Sequence, residues 1–347
     1  MASRVVLHVG LMKSGTSYVQ QRLEANRDLL LERGVLLPGE RWRDQVLAVS
    51  DVLGRRQLAG KSAGRWARLV ADVEAHDGAV VVSMEFLGPA RPELIARVVG
   101  SFGAVPVEVV VTLRDLGRTV PAMWQESLQN GGTRLWIDYV RLLDGRRRPA
   151  QAFWRQQGMG RIVDNWVAAV GPANVALVTV PPPGADPGSL WERFCDAAGL
   201  DALDAATVAP ANTSLDAASA MVLRELNLLL EQDGIASGDY HRLVKFELGK
   251  RALAGCVGES IGFDPPRWLR ERASAIRERL EASGARVVGD LGDLTPLATP
   301  GTDPDAVPAT DLAAAAVAAL SAVVRERAGQ PSRPPQPPQP TTTSETP

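Results

Sequence analysis

The sequence predicts a three-layer α/β fold, in which a central, mostly parallel sheet is covered by helices on both faces. Two observations lead to this prediction. Short, continuous apolar runs rich in valine recur along the chain, and such runs are typical of parallel strands that are buried on both faces. Segments with the apolar spacing of helices separate these runs, which is the order expected when helices connect the strands of one parallel sheet.

Five strands are predicted in chain order. The first lies at residues 4–9 (RVVLHV), and the helical spacing that follows it over residues 17–33 stops at Gly34. The remaining strands are predicted at residues 79–84, 107–113, 175–180 and 286–289. We therefore expect one α/β domain over residues 1–291.

The character of the sequence changes after this domain. Residues 292–310 are rich in Pro, Asp and Thr and are expected to form a linker, and residues 311–327 show an alanine-rich helical pattern. Residues 328–347 contain mainly Pro, Gln, Ser and Thr, which cannot build an apolar core. For this segment we expect a disordered, proline-rich tail with local polyproline character.

The composition excludes several classes of function. The 347 residues carry a formal net charge of -2, which gives no general attraction to nucleic acid or to anionic membranes. The N-terminal apolar stretch is too short for a signal peptide, and no run approaches the roughly 18 apolar residues of a membrane span. The two cysteines, Cys195 and Cys256, are expected to be reduced thiols. We therefore expect a soluble, cytoplasmic protein whose anion sites, if it has any, are local.

The strongest functional signal is the segment HVGLMKSGTS at residues 8–17, between the first strand and the first helix. This position is typical of a phosphate-binding loop, because the N–H groups of the turn point at the anion and the helix dipole favours negative charge there. Gly15 lets the backbone approach the anion, and Lys13 supplies a positive charge. Three hydroxyl groups are further candidate donors, those of Ser14, Thr16 and Ser17.

The order of residues in this loop differs from that of ATPases. In the common GxxxxGK[ST] pattern the lysine follows the second glycine directly. Here Gly10 and Gly15 keep the spacing, but Thr16 follows Gly15 and Lys13 precedes it by two residues. This arrangement resembles the 5′-phosphosulfate loop of the sulfotransferases. The resemblance implies a P-loop NTPase-like fold and the use of 3′-phosphoadenosine 5′-phosphosulfate as sulfuryl donor.

The wider sequence is similar to a bacterial sulfotransferase subfamily over most of residues 4–326. The similar segments lie at residues 114–131, 181–194, 211–227 and 241–255. In this family an arginine at the end of a strand binds the 3′-phosphate, which implies that role for Arg114. The family usually has a serine eight residues later, where this chain has Ala122. The candidates to replace that serine are Arg118, Thr119 and Gln125.

The basic residues near the end of the last similar segment allow two interpretations. They are either a further contact to the 3′-phosphate or a solvated helix face. These residues are Lys245, Lys250 and Arg251.

The resemblance also implies which groups perform the chemistry. Sulfuryl transfer resembles phosphoryl transfer, so Lys13 is expected to stabilise charge on the oxygen that bridges sulfate and 5′-phosphate. No metal is predicted. The acceptor needs a general base, and the leading candidate is Glu85 at the end of the second strand. A structural role for this carboxylate remains an alternative, and the rival bases are Glu40, Asp44 and Glu126.

Three functions remain open at this point. The first is a sulfotransferase that acts on a hydroxyl or amine of a carbohydrate, a glycolipid or another small molecule. The second is a P-loop kinase with an atypical loop, although the usual lysine position is not occupied by lysine. The third is a non-catalytic nucleotide-binding protein with the same fold, which the alanine at position 122 leaves open. The oligomeric state is not predicted.

Overall fold

The computed structural model describes residues 1–145, 148–200, 214–256 and 258–329. Their contacts divide the chain into two units. The sheet unit takes its described residues from the ranges 1–123, 140–211 and 264–299. The helical unit takes its described residues from the ranges 124–139, 212–263 and 300–347. The predicted tail, apart from Ala328 and Gly329, and the start of the similar segment at 211–227 lie outside the described residues.

The sheet unit contains a six-stranded sheet. Its strands are β1 (Arg4–His8), β2 (Val35–Leu36), β3 (Ala79–Ser83), β4 (Val107–Leu113), β5 (Val175–Thr179) and β6 (Arg286–Val288). They are ordered β2-β3-β1-β4-β5-β6 and every described pairing is parallel. All five predicted strands are present. The sequence did not indicate β2, because two residues are too short to show a periodic pattern.

Helices connect the strands and continue beyond them. Those before residue 200 are α1 (Thr16–Ala25), α2 (Arg27–Glu32), α3 (Trp42–Val52), α4 (Ala59–Ser62), α5 (Arg65–Ala75), α6 (Pro92–Gly100), α7 (Leu116–Gln129), α8 (Trp136–Asp144), α9 (Arg148–Gln157), α10 (Met159–Val170) and α11 (Ser189–Ala198). Those after residue 214 are α12 (Ala217–Asp233), α13 (Ser237–Asp239), a π-helix (Tyr240–Ala252), α14 (Arg267–Glu281) and α15 (Ala309–Arg327). No helix in the described part of the chain is both long and apolar enough to cross a bilayer.

The helical pattern predicted over residues 17–33 is two helices in the structure. They meet at Asn26, whose backbone leaves the helical region with φ of -114° and ψ of 19°. The Asn26 side chain donates to the carbonyl of Arg22 over 2.7 Å. A side chain that bonds nearby backbone competes with the helix in this way, so asparagine favours helix ends. The apolar spacing continues through the break and therefore does not reveal it.

Helices cover both faces of the sheet, as the sequence predicts. On one face, Val6, Val110 and Val178 belong to a buried cluster that also contains residues of α1 and α11. Successive side chains of a strand point to opposite faces, so Val109 and Val111 point the other way. There α10 packs against β4 and β5, and α6 packs against α10. The result is the three-layer α/β arrangement.

The register of the strands places their carboxyl ends at one edge of the sheet. His8 at the end of β1 pairs with Ser83 at the end of β3. On the other side of β1, His8 pairs with Val110 of β4, which continues to Leu113. In open α/β sheets, ligands bind outside this edge. The segment between β1 and α1 therefore begins where a ligand is expected.

The helical unit has its own polar and aromatic contacts. Asp216 caps α12 by accepting from the N–H of Ser219 over 2.7 Å. The rings of Trp136 and Phe263 pack edge-to-face, with 5.1 Å between the ring centres. An isolated bridge joins Ile261 to Thr302. The range predicted as a linker, 292–310, contains short 3-10 turns and the bridge residue Thr302 before α15 begins at Ala309.

Candidate phosphate-binding site

The loop between β1 and α1 has a special backbone. Gly15 adopts a left-handed conformation with φ of 82°, which glycine tolerates. Lys13 is also left-handed, with φ of 66°, and is the only non-glycine residue with positive φ in the described part of the chain. This conformation costs a non-glycine residue roughly 1–2 kcal/mol. Strain of this kind concentrates at functional positions, so it marks Lys13 as a candidate site residue.

The start of α1 presents unsatisfied donors. Within the described residues, the N–H groups of Gly15, Thr16 and Ser17 have no hydrogen-bond acceptor, and no side chain caps the helix. Ser17 is exposed, whereas Thr16 is buried. The positive end of the helix dipole lies at the same position. These three N–H groups can therefore bind the oxygens of an anion.

Gly10 brings the loop close to the sheet. A Cβ atom at this position would lie 2.3 Å from the Thr112 hydroxyl oxygen and 2.7 Å from Nε2 of His8. It would also lie 2.5 Å from a methyl carbon of Thr16. A larger residue at this position would therefore displace the loop.

A layer of buried polar side chains lies under the loop. Nδ1 of His8 is 2.8 Å from the hydroxyl of Ser83, and its Nε2 is 3.2 Å from the hydroxyl of Thr112. The Thr112 hydroxyl is 2.7 Å from that of Ser14, which donates to the carbonyl of Leu11 over 2.6 Å. Burial lowers the pKa of His8 to about 3, so the imidazole is neutral at physiological pH. The sequence singled out Ser14 but gave no reason to connect it with His8.

Arg114 lies against the loop. Its Nη1 donates to the backbone carbonyl of Lys13 over 3.1 Å, although the two residues are 101 positions apart in sequence. Burial, reinforced by the neighbouring charge of Arg118, lowers the pKa of Arg114 to about 10, and the charge of Asp115 opposes this shift. The guanidinium is still charged at neutral pH. Its Nη2 makes no hydrogen bond to a described residue and is the group that can reach an anion.

Arg118 has a different environment. Its Nε donates to the carboxylate of Asp115, and its Nη1 donates to the carbonyl of Pro181 over 2.9 Å. Its Nη2 also lies 3.3 Å from the carbonyl of Val180. Arg118 thus ties the start of α7 to the chain that follows β5. These contacts use three of its five N–H donors, so it has fewer left for a ligand than Arg114 has.

The other candidates to replace the serine are also engaged. Thr119 is buried, and its hydroxyl lies 3.5 Å from the carbonyl of Arg114. In the helical unit, the amide of Gln125 both donates to and accepts from the backbone of Leu215, over 3.1 and 3.0 Å. Ala122 lies within α7. The observed contacts of Thr119 and Gln125 are structural.

Glu85 lies at the carboxyl edge, two residues after the end of β3. It begins a 3-10 turn that ends at Leu87, and its carboxylate accepts from Nε2 of Gln20 over 3.0 Å. Gln20 belongs to α1, so this bond joins the carboxylate to the helix that follows the phosphate loop. Arg55 adds a positive charge near Glu85. Burial lowers the pKa of Arg55, and the negative charge of Glu85 opposes that shift.

The rival bases differ from Glu85 in their contacts. Asp44 accepts from the backbone N–H groups of Glu40 and Arg41 over 3.1 and 3.2 Å, so it caps the start of α3. Glu40 itself is exposed. Glu126 forms an ion pair of 2.9 Å with Lys245 in the helical unit. Of the four candidate bases, Glu85 is therefore the one whose carboxylate is hydrogen-bonded to a described residue of α1.

The basic residues of the π-helix have partners inside the helical unit. Lys245 also donates to Asn130 over 2.8 Å. Arg251 pairs with Glu326 at 2.6 Å, and the Lys250 ammonium lies 5.3 Å from the centre of the Phe246 ring. These contacts account for the positions of the three cations without a bound phosphate.

Several residues of this edge were not singled out as functional from the sequence. They are Gln20, Arg55, Ser83 and Thr112. A sequence signal exists for two of them, because Ser83 and Thr112 are polar residues near the carboxyl ends of otherwise apolar strands. Gln20 and Arg55 have no such signal, since polar residues on helices and turns are common.

Comparisons with known proteins give a distant structural likeness. No protein-family model matches this chain, and no curated protein matches it either. The crystal structure of a sulfotransferase from Alicyclobacillus acidocaldarius superposes with a TM-score of 0.40 and 14% sequence identity. The superposition covers 70% of this chain and 96% of that one. A likeness this distant carries no argument about activity.

Proposed function

We propose that this protein is a sulfotransferase that uses 3′-phosphoadenosine 5′-phosphosulfate and transfers its sulfuryl group to a hydroxyl or amine. The observation that carries the proposal is the contact between Arg114 and the loop carbonyl of Lys13. It brings a second fixed cation beside the helix terminus whose N–H groups are unsatisfied. A donor with anionic groups at both its 5′ and 3′ positions matches two such sites, and ATP has no 3′-phosphate.

The loop supports the donor half of the reaction. The N–H groups of Gly15, Thr16 and Ser17 bind the oxygens of the 5′-phosphosulfate. As the acceptor oxygen or nitrogen bonds to sulfur, the bond from sulfur to the bridging oxygen breaks, and negative charge grows on that oxygen. Lys13 stabilises this charge, which is larger in the transition state than in the bound donor. The leaving group is 3′-phosphoadenosine 5′-phosphate.

Glu85 supports the acceptor half. Its carboxylate takes the proton that the acceptor hydroxyl or amine loses as the new bond to sulfur forms. Gln20 fixes one carboxylate oxygen through its 3.0 Å hydrogen bond, and the second oxygen is left for the acceptor. Because Gln20 lies on α1, the base and the loop are held by the same helix. In this arrangement the two halves of the reaction keep a constant separation.

Titration calorimetry with 3′-phosphoadenosine 5′-phosphate and with ATP tests the donor. We expect the wild type to bind the 3′-phosphorylated nucleotide and to prefer it strongly over adenosine 5′-phosphosulfate, which lacks the 3′-phosphate. Arg114→Ala removes this preference. Arg161→Ala is the matched control, because it removes the charge of an exposed arginine whose hydrogen bonds to described residues go to the carbonyls of Trp154 and Arg155. Preferential binding of ATP would instead favour a kinase.

Activity separates the enzyme from a non-catalytic nucleotide-binding protein. The protein is incubated with radiolabelled donor and fractions of a metabolite extract, and labelled products are identified by mass spectrometry. Transfer of the label to a carbohydrate, a glycolipid or another small molecule identifies the acceptor class. Tight binding of the nucleotide with no transfer in any fraction would instead favour a non-catalytic nucleotide-binding protein.

A further inference from the structure

Four buried side chains connect β3 to the phosphate loop in one line, which we call the relay. Its members are Ser83, His8, Thr112 and Ser14, and each is at most 2% exposed. The strand register explains why they meet. His8 is the register partner of Ser83 and of Val110. Thr112 lies two residues beyond Val110, so its side chain points to the same face of the sheet as that of His8.

Each hydroxyl in the relay has a single proton, and this fixes the direction of every bond. The proton of Ser14 goes to the carbonyl of Leu11. In its contact with Thr112, Ser14 is therefore the acceptor and Thr112 the donor. Thr112 has then used its own proton, so its oxygen can only accept from Nε2–H of His8.

The same count determines the tautomer of the imidazole. His8 carries its proton on Nε2, so Nδ1 has a free lone pair and accepts from the hydroxyl of Ser83. All four bonds point from β3 towards the loop. If the proton were on Nδ1 instead, the Thr112 proton would turn to Nε2 and Ser14 would lose its donor. The carbonyl of Leu11 thus selects the tautomer on which the Ser14 contact depends, and the hydroxyl of Ser83 stabilises that tautomer by donating to Nδ1.

We infer that His8 and Thr112 are positioning residues, which hold Ser14 and the loop on which the donor binds, and that Ser83 acts on the loop through them. Ser14 lies between the strained Lys13 and Gly15, so anchoring its side chain fixes the turn on both sides. Ser83 lies two residues before Glu85 in the chain. The relay therefore links the strand that precedes the base to the loop that holds the donor.

The first part of the test needs no ligand. In the full chain with ¹⁵N-labelled histidine, the ring nitrogens of His8 report the tautomer, and we expect the proton on Nε2. Thr112→Val removes both relay bonds of this residue, so we expect the Ser14 amide to exchange its hydrogen about ten-fold faster. Thr112→Ser restores the hydroxyl and the slow exchange. A proton on Nδ1, or unchanged exchange in Thr112→Val, would overturn the inference.

Ser50→Ala is the matched control for changes in the relay. Its hydroxyl is fully buried in α3 and has no hydrogen-bond partner among the described residues. This variant therefore deletes a buried hydroxyl outside the relay, and we expect the tautomer of His8 and the exchange of the Ser14 amide to stay as in the wild type. If Ser50→Ala accelerates the Ser14 amide as much as Thr112→Val does, the effect is general destabilisation and the inference fails.

The second part rests on the proposed function and uses 3′-phosphoadenosine 5′-phosphate. We expect Thr112→Val to weaken its binding about ten-fold and Thr112→Ser to stay within about three-fold of the wild type. Ser83→Ala touches no loop atom, yet weakens binding about three-fold through His8. In the double variant with Thr112→Val, Ser83→Ala should not weaken nucleotide binding further, because Thr112→Val has already removed the bonds between His8 and Ser14. Additive effects would overturn the inference.

The two proposals fail in distinguishable ways. If the wild type does not bind this nucleotide, the proposed function fails, while the tautomer and the Ser14 exchange still decide the relay. If Thr112→Val does not fold, the tautomer of the wild type and the comparison of Ser83→Ala with Ser50→Ala decide it. Equal exchange in those two variants would then count against the relay.

Discussion

Acidification should destabilise the sheet unit through His8. The pKa of this imidazole is about 3 in the folded chain and 6.5 when it is exposed. Below pH 6.5 the unfolded chain therefore binds a proton that the folded chain does not. The stability that His8 contributes is fully present above this pH and is lost as the pH falls towards 3.

The size of the effect follows from these two values. Between pH 7 and pH 5.5 the unfolded imidazole goes from about one quarter to about nine tenths protonated, while the folded one stays neutral. The free energy of unfolding should fall by about 1.3 kcal/mol from this group alone. This figure is insensitive to the folded pKa, provided that the value lies well below 5.5. The physical reason is burial, because the charged ring would lose its hydration under the loop.

Urea unfolding at pH 7 and at pH 5.5 measures the change in the free energy of unfolding. Unfolding is followed by the hydrogen exchange of the β4 amides, because β4 belongs to the sheet unit. His8→Gln has no titratable group and should lose about 1.3 kcal/mol of the pH dependence, whatever its overall stability. His241→Gln removes an exposed histidine and should retain the dependence of the wild type. Equal pH dependence in wild type and His8→Gln would refute the reasoning.

Three further predictions concern the proposed reaction. Lys13→Ala should lower kcat by roughly 10²–10³ with the fold intact, because it removes one fixed charge-stabilising donor, and near-wild-type turnover would remove Lys13 from the mechanism. Glu85→Gln should lower the rate by roughly 10²–10⁴ at unchanged donor affinity, with a smaller loss for an acidic nitrophenol acceptor; an equal loss for all acceptors would indicate a structural carboxylate. Truncation after Arg327 should leave turnover unchanged, since the removed segment has few groups that join a core. A truncated chain that binds donor but fails on its acceptor would contradict this.

Local patterns in the sequence were sufficient for the sheet and for the position of the loop. The valine-rich runs predict β1, β3, β4 and β5, because a strand buried on both faces is apolar at nearly every position. The same signal predicts β6, although two of its three residues are exposed. The loop is recognisable because an anion site between a strand and a helix requires glycines and a cation at fixed spacing. The position of Arg114 at a strand end likewise placed it at the edge where ligands bind.

The contacts of those residues were decided by the tertiary structure. The sequence offered both Arg114 and, four residues later, Arg118 as contacts for the 3′-phosphate, yet Arg118 is held by Asp115 and by the carbonyls after β5. Only the fold could separate the two, since the carbonyl partners of Arg118 lie more than 60 residues away in sequence. Asp44 caps α3 through residues that are close to it in sequence. Glu85 instead accepts from Gln20, which is distant in sequence, so only the fold shows that these two carboxylates differ.

The relay shows the same limit most clearly. Ser83 lies 75 residues after His8 in the sequence, and Thr112 lies 104 residues after His8. Each is a polar residue in a mostly apolar strand, and the sequence by itself determined only that each lies in or beside a strand. Their meeting depends on the parallel register, which sets the face and the height of every side chain. Register is a property of strand pairing and not of any one strand, so only the tertiary structure could place these groups under the loop.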